Sequence, residues 1–261
     1  MMTEWERHAG FDLSSKMALV IGFSNPAGAA FATSLAEAGA HVATASSTLD
    51  GDEVMNAKRA SKAINALGKQ TFSQGWDVTL PVNIQVGLRQ ICKEFGCPDI
   101  LIYNADFALT KPLLKTTDTE FSKVHQINLH GAFATARSYV RELKENSGKI
   151  IFVSNIFGSR GLSNMAAYSS AKAGISGLTA SLSQELAPQV NVNCIASGWM
   201  DWTQGRGINS VEDNLLLRFI PSRRFGEASE LSALTVLLSS EAANYITGQT
   251  FTIDGGVSTH L

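Results

Sequence analysis

Cysteine is nearly missing from this chain: Cys92, Cys97 and Cys194 are the whole set in 261 residues. Three thiols without metal-type spacing exclude a disulfide-stapled scaffold and a cysteine metal centre, and they predict reduced structural thiols. Histidine is also sparse. Of the five, only His125 and His130 lie near each other, so no metal site is expected. Apolar runs long enough to span a bilayer, roughly 18 residues, are absent. The start carries Glu4, Glu6, Arg7 and His8 where a signal peptide would be apolar, which predicts a cytoplasmic protein. Charge of one sign is lacking too: 21 basic residues face 23 acidic ones, for a net charge of -2. With no lysine or arginine run, the chain has no electrostatic footprint for nucleic acid or for a membrane surface.

What the chain does have is apolar content, at 44 %. That length and content suffice for a full core, and one domain over 1–261 is expected, with 1–12 as an extension outside it. Short runs rich in Val, Ile and Phe alternate with longer segments of helical period. This is the pattern of a doubly wound α/β fold, a parallel sheet with helices on both faces. Seven strands are predicted, at 17–22, 41–45, 70–76, 100–104, 149–154, 190–195 and 249–253. Helices are predicted over 27–38, 52–67, 82–95, 118–145, 165–187 and 228–240, with Gly39 and Gly68 as C-terminal stops. The longest irregular stretch, 198–221, contains Trp199, Met200, Trp202, Leu215 to Leu217 and Phe219; loops of this length are functional or disordered, and these apolar side chains line a pocket or make a core or subunit contact.

Tyr168 and Lys172 are four residues apart, so on a helix they share one face. An ammonium beside a phenol, whose ordinary pKa is about 10, favours the phenolate, and such a pair can exchange a proton with a hydroxyl or carbonyl oxygen. The first strand runs into Gly22, Ser24, Asn25, Pro26 and Gly28 and then into a helix, the arrangement in which backbone amides hold a pyrophosphate. Proline suits the first helical position but removes one donor. After the second strand, Ser46, Ser47 and Thr48 stand where an acid would select NAD and a base NADP. Small hydroxyls can donate to a phosphate, so NADP(H) is slightly favoured over NAD(H), or the segment is a solvated turn. Asp77 and Val78 bracket an adenine ring or cap a strand end.

These residues, with Asn104, Ala105, Asn128, Thr247 to Gln249 and Ile253 to Gly256, resemble the short-chain dehydrogenase/reductase family over nearly the whole chain. The resemblance implies a Rossmann-like sheet, NAD(P) at its carboxyl edge, hydride transfer at a ketone or secondary alcohol, and a homotetramer. It makes Tyr168 the acid–base, Lys172 its pKa-lowering partner and ribose ligand, and Asn128 the holder of a relay water. The family's serine, 13 residues before the tyrosine, is here Asn155, whose amide can polarise a carbonyl but cannot relay a proton. Ser154 is no substitute, since it points to the other face of its strand. Where the family has asparagine, asparagine, alanine, glycine, this chain reads Tyr103, Asn104, Ala105, Asp106; the Asp106 carboxylate could repel phosphates or act as a second base, and the orientation expected first is out to solvent. Ser197 and Gly198 replace a proline and glycine. Thr203, one position beyond Trp202, is the expected nicotinamide contact. The small residues Ala166, Ala167, Ala171, Ala173 and Gly174 suit a subunit contact. Two rivals remain at this stage: a subunit that has lost turnover, and a lyase or dehalogenase on the same scaffold.

Overall fold

The computed structural model describes residues 10–142, 148–203 and 213–259. Seven strands form one parallel sheet: β1 (Met17–Ile21), β2 (His41–Ala45), β3 (Thr71–Gln74), β4 (Ile100–Tyr103), β5 (Gly148–Asn155), β6 (Val190–Ser197) and β7 (Thr250–Ile253), in spatial order β3-β2-β1-β4-β5-β6-β7. The order reverses between β1 and β4, where the two chains of connections leave in opposite directions. A crevice opens at such a switch point.

The nine α-helices are α1 (Pro26–Glu37), α2 (Gly51–Ala66), α3 (Pro81–Glu94), α4 (Asp118–His125), α5 (Gly131–Glu142), α6 (Phe157–Arg160), α7 (Ala166–Glu185), α8 (Asp213–Phe219) and α9 (Ala228–Ser239), counted among the described residues. Their starts are set locally. Asn25 accepts from Ala27 N ahead of Pro26, Asp50 accepts from Asp52 N and Glu53 N, and Thr117 with Glu120 forms a reciprocal capping box. Successive strand residues serve opposite faces, so Leu19 and Ile21 join one core while Ala18 and Val20 join the other. Tyr168 belongs to a third, smaller cluster with Ile156, Phe157, Met165 and Phe225. No helix among the described residues is long and apolar enough to cross a membrane.

Two expectations need correction. The helix read over 118–145 is interrupted: residues Gln126–His130 form a wide π turn between α4 and α5. Tyr103 causes this locally, because its hydroxyl donates to Ile127 O at 2.6 Å and a Cβ at Gly131 would collide with that hydroxyl. Cys92 and Cys97 are bonded to each other and are not free thiols; Gly96, at φ 112° and past the end of α3, folds Cys97 back over the last turn. Cys194 alone is a free buried thiol. Of the stretch 198–221, Asp201–Thr203 is a short 3-10 turn and Asp213–Phe219 is helical. Residues 204–212 of this stretch lie outside the described residues, as does the Leu215 side chain.

Burial pushes the Tyr103 and Tyr139 hydroxyls well above the ordinary value of 10, with Glu53 and Asp99 respectively adding to it. Below about pH 10 these phenols are neutral in both folded and unfolded chains and add no pH dependence. Above it the unfolded chain ionises and the fold does not, so stability falls. Urea midpoints at about pH 9 and pH 11 should show this loss, and Tyr103→Phe should reduce it.

Candidate active site

The crevice is built on a close approach of two strand ends. Gly22, at φ 98°, follows β1, and a Cβ there would lie 2.5 Å from the Asn104 carbonyl. Asn104 Nδ2 donates to Gly22 O at 3.0 Å and, more weakly, to Asn25 Oδ1 at 3.4 Å. A Cβ at Gly28 would strike Gly22 O. The turn is therefore a cradle that only glycine permits at both positions, and it brings the N-terminus of α1 to the sheet edge. Ser24 Oγ donates across the crevice to Asp106 O at 3.2 Å.

Tyr168 and Lys172 share one face of α7, both buried, and line one groove with Asn155, Asp106, Trp199 and Gly198. The expected solvent orientation of Asp106 is wrong. Its Oδ1 accepts from the Tyr168 hydroxyl at 2.7 Å and lies 3.0 Å from Lys172 Nζ. Lys172 also donates to Val153 O at 3.3 Å and Ala105 O at 3.5 Å. The expected acidification of Tyr168 is corrected as well: burial and then the Asp106 carboxylate hold its hydroxyl well above 10. The carboxylate touches the phenol oxygen, whereas the ammonium sits 5.4 Å from the ring centre. The nearer charge is negative and prevails.

Asn128, in the π turn, spends its side chain on backbone: Oδ1 accepts from Phe107 N at 3.2 Å, and Nδ2 donates to Phe107 O and Val124 O, both at 2.9 Å. It pins the segment that carries Asp106. Asn155 Oδ1 accepts from Phe157 N at 3.0 Å, and Nδ2 donates to Ser197 Oγ at 3.3 Å, which orients the amide and leaves one N–H for another acceptor. Ser154 Oγ donates to Lys172 O at 2.9 Å, on the far face as expected. Thr203 lines the groove beside Trp202, and its hydroxyl donates to Met200 O at 2.6 Å. The groove is narrow, about 40 Å³, with Trp202, Met200 and Leu231 on its wall.

At the other end lies a wider cleft of about 630 Å³, lined by Ser24, Ser47, Thr48, Glu53 and Arg59 among others. The free hydroxyls expected after β2 are not there. Ser46 is fully buried, accepting from Trp76 N at 3.1 Å. Ser47 and Thr48 are bound to Glu53, a residue passed over in the sequence. Its buried carboxylate accepts from Phe23 N, Ser47 N and Oγ, and Thr48 N and Oγ1, at 2.6 to 3.0 Å. The available signal was its place in the first turn of α2, which brings a side chain back to the end of β2. Arg59, also passed over, is exposed on the same wall and donates to Asn56 at 3.2 Å. Asp77 closes its own turn by accepting from Thr79 N and Oγ1 on Oδ1, and Val78 is fully buried in the core.

The family model described as "Enoyl-(Acyl carrier protein) reductase" matches residues 23–258. The 3-oxoacyl-[acyl-carrier-protein] reductase of Vibrio cholerae is 32 % identical over 248 residues, covering 94 % of this chain and 98 % of its own. A putative short-chain alcohol dehydrogenase from Sinorhizobium meliloti superposes with a TM-score of 0.90 at 32 % identity, over 97 % of this chain and all of its own. A putative 2-deoxy-d-gluconate 3-dehydrogenase from Agrobacterium tumefaciens, with bound NADP, gives 0.85 at 28 % identity over 96 % and 99 %.

Glu53 ties the β1 turn to the end of β2, so Glu53→Ala strands buried donors. Urea denaturation should show a loss of about 2 kcal/mol, the scale of hydrogen bonds to a charged group.

Proposed function

The chain belongs to the short-chain dehydrogenase/reductase family and is an NAD(P)-dependent oxidoreductase, and we propose that it interconverts a ketone and a secondary alcohol with Tyr168 as the acid–base. The observation that carries this is the shared buried face of Tyr168 and Lys172 in a groove that also holds the Asn155 amide. A carbonyl oxygen placed between Tyr168 and Asn155 receives the phenol proton from one and a hydrogen bond from the free amide N–H of the other. Trp199 and Phe157, stacked edge to face with centres 5.7 Å apart, form the apolar wall against the substrate.

The cofactor fits the cradle, since Gly22 and Gly28 leave the backbone bare where a pyrophosphate approaches. Gly22, Ser24, Asn25 and Gly28 would hold the pyrophosphate, Asn104, Ala105 and Lys172 the ribose side, and Gly198 and Thr203 the nicotinamide. When bound, the dinucleotide supplies or accepts the hydride. NADP(H) is our first reading for the cofactor. It is supported by the NADP-bound relative and by the Arg59 guanidinium, exposed on the cleft wall where a 2'-phosphate would approach. Glu53 favours the second reading, NAD(H): its carboxylate takes the five donors that a 2'-phosphate would need and repels its charge. Fluorescence titration with NADPH and NADH separates them. Glu53→Gln should strengthen NADPH binding relative to NADH by about tenfold, the effect of removing one close like charge worth about 1.4 kcal/mol.

We also infer a homotetramer. Its support is an exposed strip of small residues on α7, Ala166, Ala173, Gly177 and Ala180, beside the half-exposed Phe133 of α5 and Phe121 of α4. Small residues permit close helix contact between subunits. Sedimentation should give four chains for the native protein and smaller species for Gly177→Arg. For catalysis, Tyr168→Phe should cut turnover of a responsive ketone by about a hundredfold to ten-thousandfold with the dinucleotide affinity kept. No turnover by the native protein across a broad ketone and alcohol panel would overturn the reading.

A further inference from the structure

We propose that Asp106 is a third proton-handling residue of this centre: by sharing one carboxylate oxygen between the Tyr168 hydroxyl and the Lys172 ammonium, it keeps Tyr168 in the form that gives a proton to a carbonyl oxygen, so that the form able to take one from an alcohol arises only at alkaline pH. The inference rests on the redox reading above, and concerns a position where the resembling family carries a glycine and therefore no charge.

The contact is built into the fold. The residue after Asp106 is clamped at both its backbone groups by Asn128, with Phe107 N to Oδ1 at 3.2 Å and Nδ2 to Phe107 O at 2.9 Å. The Asp106 carbonyl itself accepts from Ser24 Oγ at 3.2 Å. With its backbone held from α1's turn and from the π turn, the side chain reaches the one position where it meets both Tyr168 and Lys172, at 2.7 and 3.0 Å. Its side chain keeps 29 % exposure toward the groove while that of Lys172 keeps 2 %, so water reaches this centre through the carboxylate.

Other charged groups around α7 are engaged elsewhere. On α4, His125 pairs with Phe121 O and Ser170, and Lys123 lies over the Phe107 ring. On α6, Arg160 donates to Val257 O. On β6, burial pushes the Cys194 thiol up to about 12, so it stays neutral. Among the described residues, Asp106 and Lys172 therefore set the charge at the phenol. One ammonium facing both a carboxylate and a phenolate is a net negative site, which disfavours the phenolate. This agrees with the upward displacement of the Tyr168 hydroxyl.

The proton balance follows. When a hydride supplied by a bound nicotinamide dinucleotide forms the new C–H bond, the C=O π electron pair would move onto the substrate oxygen, which then takes the proton of the Tyr168 hydroxyl. The phenolate left behind lies against Asp106 and takes a replacement proton from water in the groove, restoring the phenol. In the opposite direction the phenol must first lose its proton to solvent past a carboxylate, which requires alkaline pH.

The test is an ultraviolet difference titration of tyrosine ionisation in the protein without cofactor, for the native chain, Asp106→Asn and Asp106→Gly. Each is paired with its Tyr168→Phe counterpart so that the Tyr168 signal is obtained by subtraction. Both Asp106 variants should lower the Tyr168 midpoint by about one to three pH units, the effect of removing an adjacent charge. The alkaline inflection of alcohol oxidation should move down with it. A Tyr168 midpoint unchanged in either folded variant overturns the proposal, and so does a uniform loss of activity with no displaced inflection. The titration needs neither substrate nor cofactor, so failure of the redox reading on the ketone panel remains a separate result.

Discussion

The arrangement depends on one close approach, that of the backbone after β1 to the backbone after β4. With Gly22 lying where any Cβ would be 2.5 Å from the Asn104 carbonyl, and Asn104 bonded back to Gly22 O, the two strand ends are locked at the switch point. From that junction α1 starts on one side, and the segment through Ala105, Asp106 and Phe107 leaves on the other. Asn128 holds the second path and Ser24 bridges the two. Helix α7 is then met by a carboxylate whose position derives from backbone contacts outside that helix.

Two carboxylates give the crevice its character, one at each end. Glu53 is satisfied by five donors and serves as an internal anion, tying the turn after β1 to the end of β2. Asp106 is only half satisfied by fixed partners and faces the groove. A buried anion with its donors complete is structural and costly to displace, whereas one shared between a phenol and an ammonium is poised to respond to protons and ligands. The same functional group is thus enclosed by donors at one end of the crevice and open to the groove at the other.

Much of this was legible in the chain. The seven strands, both faces of the sheet and the α7 pairing of Tyr168 with Lys172 follow from periods of 2.0 and 3.6, which depend only on local backbone geometry. The glycine turn was readable for the same reason. The departures at Asp106 and Asn155 were also visible as identities, but their partners were not. Asp106 was expected in solvent because a carboxylate after a strand end is ordinarily solvated. Ser46 and Ser47 were expected to be free because their partners, Trp76 and Glu53, lie elsewhere in the chain.

The sequence by itself therefore determined the fold class, the family, the helix face of the acid–base pair and the glycine cradle, all of which rest on residue identity and short-range spacing. Tertiary structure alone decided the sign of the charge nearest Tyr168, the owner of the donors at the adenosine end, the π turn at Asn128 and the pairing of Cys92 with Cys97. Electrostatic effects and hydrogen bonds depend on distances of a few ångströms between groups that are tens of residues apart, and those distances exist only after the strands have been laid in register.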